Sequence, residues 1–85
     1  MSAETQVAII AIIAQKLGVK RESVTLGTRL VEDLGADSLN VLEIALEINE
    51  IFEIDIPAQG LSRVRKVDDL FRLTMETFEL RAATF

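Results

Sequence analysis

Leu34-Gly35-Ala36-Asp37-Ser38-Leu39, followed without a break by NVLEIALEINEIFEIDIP over residues 40–57, decides how this chain is read. A glycine turn delivers Asp37 and Ser38 to the start of a strongly patterned segment. At about 100° per residue, Val41, Ile44, Ala45, Ile48 and Phe52 fall on one wide apolar face. The spacing predicts a helix that starts at Asp37 or Ser38 and runs to about Glu53. Glu43, Glu47 and Glu50 gather on the opposite side, with Leu39 and Leu46 at the edge of the cluster. A solvated acidic face is ordinary on any helix. These glutamates, however, have no lysine or arginine on their own helix, and like charges at such spacing cost stability. Beside two leucines they also fit a docking surface for a basic partner with an apolar pocket.

Asp37 and Ser38 are both favoured helix caps, and local chemistry alone favours that role for Ser38. A serine at a helix start is equally well placed to carry a phosphate. The backbone N–H groups there lack intrahelical partners, and the positive end of the helix dipole favours an anion. The rest of the chain has to choose between the two.

On the N-terminal side, Ser2 can cap a first helix over residues 3–17. Ile9, Ile10, Ile13 and Leu17 share one side, flanked by Val7 and Ile12. Four isoleucines favour a strand, but the length and the alanines favour a helix. Gly18 then stands where a helix-closing glycine belongs. Residues 19–36 show no sustained period. They are expected to form an ordered crossover, pinned by Val19, Val24, Leu26, Leu30, Val31 and Leu34, with a short helical turn near residues 30–34.

On the C-terminal side, Pro57 ends an extended Ile54-Asp55-Ile56 segment. Residues 58–64 allow at most a short helix, weakened by Gly60. Arg63, Arg65 and Lys66 follow as a basic cluster, read as a solvated loop or as a brace for nearby carboxylates. A last helix over residues 67–80 places Val67, Leu70, Phe71 and Phe78 on one face with Thr74 among them. Asp68 and Asp69 occupy its first turn, where the dipole favours them. The tail RAATF is expected to fray. The sum is an all-α fold, a small four-helix bundle with three main helices, a short third helix and a long first connection.

The chain has 85 residues, 49% hydrophobic and 27% charged, which is one domain spanning residues 1–85. It contains no cysteine and no histidine. That removes disulfides, thiolate nucleophiles, a histidine base and the usual zinc ligands, so self-contained catalysis and a metal site are not expected. A net charge of −5 disfavours nucleic acid and anionic membranes. No segment reads as a signal peptide or a membrane span, so a cytoplasmic monomer without membrane insertion is expected.

LGV at residues 17–19, VEDLGADSL at 31–39 and EIFEIDIP at 50–57, in this order and spacing, resemble the acyl carrier proteins. The resemblance implies that Ser38, flanked by Asp37, receives 4'-phosphopantetheine from coenzyme A through a separate phosphopantetheinyl transferase. The arm's thiol would carry acyl groups as thioesters, which explains thiol chemistry in a chain without cysteine. It implies further that Asp37, Leu39, Glu43, Leu46, Glu47 and Glu50 face partner enzymes with basic docking patches. Those partners transfer acyl groups or elongate chains. Ile54, Ile56 and Val64 are then expected near an acyl cavity. On this reading the chain is a non-catalytic carrier and Asp37, not Ser38, caps the helix.

Two positions and one segment depart from the family pattern. Asn40 stands where an acidic residue is common, AQGLSRVR over residues 58–65 is neutral to basic rather than acidic, and Ile51 replaces another common acid. These fit a specialised carrier for a polyketide or an unusual lipid, or housekeeping fatty-acid synthesis. An aminoacyl or peptidyl carrier, and an unmodified helical interaction module, are the alternatives.

Overall fold

A computed structural model describes residues 2–83 of the chain. Among these residues four α-helices occur: α1 (Ser2–Leu17), α2 (Ser38–Phe52), α3 (Ala58–Leu61) and α4 (Val67–Ala83). A single 3-10 turn, Arg21–Ser23, breaks the long connection between α1 and α2. Thr84 and Phe85 of the tail lie outside the described residues, as does the side chain of Ser2, the expected cap of α1. Helix α4 continues three residues past the expected Leu80, because Arg81, Ala82 and Ala83 are good helix formers with nothing to stop them.

The core is built from the faces that periodicity marks. Ile9 and Ile13 of α1, Ile44 and Ile48 of α2, and Val67 and Leu70 of α4 are all fully buried. Burying each such side chain contributes about 1.5–3 kcal/mol. Helix α1 packs on both α2 and α4. Its buried face is rotated from the expected one: Ile12 and Ala14 are buried, Ile10 and Leu17 are half-buried, and Val7 is exposed. Thr74, the polar residue inside the α4 face, donates its hydroxyl to the Leu70 carbonyl at 2.8 Å. A buried hydroxyl is thereby satisfied within its own helix.

Helices α1 and α2 close in the same way. Val19 N–H donates to the Ala14 carbonyl at 3.0 Å around Gly18 (φ +67), and Ile54 N–H donates to Asn49 at 3.1 Å around Glu53. Each is the six-residue closing bond of a Schellman motif, which needs one residue in the left-handed region. Glycine takes that conformation freely at 18, whereas Glu53 adopts it at φ 54 with a side-chain penalty.

The long connection is an ordered crossover. Val24, Leu30 and Ala36 are buried, while Val31, expected to pin it, is 56% exposed. Its anchorage is backbone pairing with the start of α4. Leu30 N–H donates to the Arg65 carbonyl at 2.9 Å, Val67 N–H to Thr28 at 3.0 Å, and Asp68 N–H to Leu26 at 2.9 Å. Arg29 and Lys66 form an isolated antiparallel bridge at the same place. Residues 30–34 make the expected helical turn, with Asp33 N–H bonded to the Arg29 carbonyl and Gly35 N–H to Val31.

Candidate functional site at the start of helix α2

The turn at residues 30–35 ends in Gly35 (φ +72), a left-handed position that reverses the chain towards α2. Ala36 is buried and Asp37 is extended (φ −103, ψ −179), the backbone state a capping residue requires. The Asp37 carboxylate accepts the Asn40 N–H at 2.8 Å, and the Asn40 side-chain oxygen accepts the Asp37 N–H at 3.1 Å. This is a reciprocal capping box. Asn40, a departure from the family pattern, thus holds the box together without adding a charge.

Ser38 is the first residue of α2 and is exposed. With the cap supplied by Asp37, its hydroxyl has no hydrogen-bond partner among the described residues. The N–H groups of Ser38 and Leu39 are also without partners among the described residues, as the first turn of a helix leaves them. An exposed hydroxyl beside two open N–H donors, at the positive end of a helix, suits a phosphodiester.

A groove of about 370 Å³ opens at this hydroxyl. Val41 and Leu42 of α2 form one wall, Ala58, Leu61, Ser62 and Val64 the other, and Val31 of the preceding turn lies at its end. Of the three residues expected near an acyl cavity, the structure brings only Val64 here. Ile54 lines a different groove, against α4, and Ile56 is buried with its N–H donated to the Asn49 side chain at 3.0 Å. Leu42, Leu61 and Val31 line the groove at Ser38 and were not singled out as site residues by sequence. Leu42 carried a usable signal, since it stands one helical turn after Ser38 on the same side. Leu61 and Val31 reach the groove only through the tertiary fold.

On the outer face of α2, Glu43 and Glu50 are exposed, with Leu39 (61% exposed), Leu42 (44%) and Leu46 (56%) beside them. Ile51 extends this apolar surface towards α1, where it shares a hollow with Ala8, Ala11 and Gln15. Glu47 differs from the expectation of an unpartnered cluster: its carboxylate lies 3.8 Å from the Lys16 ammonium of α1. Both groups are over a third exposed, so the pair contributes little to stability. It does remove one of the three free charges from the acidic face.

The basic cluster works mainly through its backbone. Asp69 accepts the N–H groups of Lys66 and Arg65, both at 3.0 Å, and these bonds hold its carboxyl below the usual carboxylate range. Asp33 is held low in the same sense by the Arg29 guanidinium, 3.0 Å away. The side chains of Arg63, Arg65 and Lys66 are exposed. Among the described residues no group of three or more metal-ligating side chains converges, and no helix is long and apolar enough to cross a membrane.

A family model described as "Phosphopantetheine attachment site" matches residues 7–73. An acyl carrier protein of Syntrophobacter fumaroxidans is 44% identical over 69 residues, covering 81% of this chain and 85% of the relative. One from Rickettsia bellii is 37% identical over 68 residues, covering 80% of this chain and 79% of the relative. Among solved structures, a putative acyl carrier protein from Mycobacterium tuberculosis superposes with a TM-score of 0.79 at 29% identity. That match covers 85% of this chain and 96% of the other. The crystal structure of an acyl carrier protein from Thermotoga maritima gives the same TM-score at 27% identity, covering 94% of each chain.

A small helical bundle with a phosphopantetheine-attachment region is the class these observations define. The chain belongs to the acyl carrier protein family. It is therefore a carrier with a covalently attached 4'-phosphopantetheine group, working with partner enzymes, and not itself an enzyme.

Proposed function

We propose that Ser38 receives the phosphopantetheine arm from coenzyme A through a phosphopantetheinyl transferase. The chain then presents acyl thioesters to fatty-acid enzymes, or to related polyketide or specialised-lipid enzymes. The observation that carries this reading is the Ser38 hydroxyl, exposed and unbonded on the first residue of α2 while Asp37 takes the cap. When attached, the arm supplies the thiol that a cysteine-free chain lacks. The chain's own residues supply position and address. Open N–H groups at the helix start favour the phosphodiester, and Glu43, Glu50, Leu39 and Leu46 present charge and apolar surface to a basic partner.

The whole of residues 1–85 acts on this reading as one carrier domain, monomeric and cytoplasmic. Docking by exposed charges is fast and weak, which suits a carrier that must exchange partners. The cargo test is release with hydroxylamine from protein purified from its own host, with the products identified by mass. Fatty-acyl or polyketide hydroxamates are expected. Recovery of aminoacyl or peptidyl products instead would contradict the acyl assignment.

A further inference from the structure

A second concavity, of about 1050 Å³, runs between the later turns of α4 and residues 53–57, and it shares no lining residue with the groove at Ser38. Ile54, Pro57 and Leu73 give it an apolar floor, and Leu80, 67% exposed, adds apolar surface to its lining. Glu53 and Asp55 stand on one bank, Glu76 and Glu79 on the other. None of these four carboxylates forms an ion pair among the described residues. Arg81, the cation on the lining, already has an interaction of its own. The Thr77 hydroxyl in the same wall donates to the Leu73 carbonyl at 2.8 Å, so it offers no unspent donor.

Two opposite demands meet in this trough. Its floor gains from being covered by apolar groups, while its banks hold like charges whose repulsion only cations relieve. An acyl chain would answer the first demand and leave the second. A helix with an apolar stripe and a lysine- or arginine-rich remainder answers both. The α4 wall from residue 73 to 81 is about 12 Å long, roughly two helical turns of contact.

We propose that this groove docks a cationic amphipathic helix of a partner protein, at a place separate from the Ser38 groove. The proposal does not depend on modification of Ser38 and is tested on the full chain without the arm. The probe is a peptide of roughly fifteen residues, leucine on one face and lysine elsewhere, long enough to hold a helix once bound. A peptide of the same pattern with glutamate for lysine is the control. Amide shifts on titration are expected at Ile54, Leu73, Thr77 and Leu80 with the lysine peptide and to be absent with the glutamate peptide. The exposed double variant Glu76→Lys/Glu79→Lys should weaken binding at the groove about tenfold while keeping its helical circular dichroism, and Glu43→Lys/Glu50→Lys should leave the shifts at Ile54, Leu73, Thr77 and Leu80 in place. Shifts confined to Leu39, Leu42 and Leu46, or loss of binding in the α2 variant alone, overturn the proposal. So does equal binding of the glutamate peptide, or shifts at the groove only when an acyl chain is loaded on the protein.

Discussion

At Asp37 and Ser38, adjacent residues divide two jobs that either could have done. Asp37 gives its carboxylate to the Asn40 N–H, and the Ser38 hydroxyl has no partner among the described residues. The division predicts unequal stability effects. Asp37→Ala removes the cap and should cost about 1 kcal/mol. That corresponds to a fall in melting temperature of roughly 4–8 °C for a domain of this size. Ser38→Ala removes no bond and should melt with the unmodified wild type. Thermal circular dichroism of the two variants checks this, and an equal drop in both would mean that Ser38 shares the cap. Capping preference could not choose between Asp37 and Ser38, since both are favoured caps; the family resemblance, which reserves Ser38 for the arm, assigned the cap to Asp37. The reciprocal bond from Asn40 was not readable from sequence, because the signature expects glutamate or glutamine there.

Helix α2 carries two faces with different fates. Its apolar face, with Ile44, Ala45 and Ile48 buried, follows directly from the 3.6-residue period. So does its end, within one residue of the expected Glu53. The outer face was less legible. The Glu47–Lys16 pair joins two helices far apart in sequence, and no pattern within α2 announces it. This pair also changes how the face should be probed, since Glu47→Lys would set two cations against each other. Glu43→Lys/Glu50→Lys avoids that. Such a variant should keep its fold yet raise the KM of a phosphopantetheinyl transferase about tenfold at low salt. The difference from wild type should shrink as ionic strength rises. Transfer kinetics at two salt concentrations decide it, and an unchanged KM would return these glutamates to an ordinary solvated face.

Across the whole molecule, what sequence conveyed and what it withheld follow a physical line. Elements set by local rules were readable: α1 closing at Gly18, the start of α2 after Gly35, and the aspartates opening α4. Helix α1 is apolar nearly all round from Ala8 to Ala14, so its period could not choose between Ile10 and Ile12, and contact with α2 and α4 did. The crossover was readable as ordered, but its pairing with residues 65–68 links segments more than thirty positions apart. The groove at Ser38 has the same origin, since its walls come from α2, from α3 with the residues after it, and from the preceding turn. The preceding turn, the cap and the groove converge on one hydroxyl. Intact-protein mass after incubation with coenzyme A and a promiscuous phosphopantetheinyl transferase tests that convergence most directly. The wild-type chain should gain one phosphopantetheine and Ser38→Ala none. A folded wild type that stays unmodified, or a Ser38→Ala variant that takes up the arm, would contradict the account.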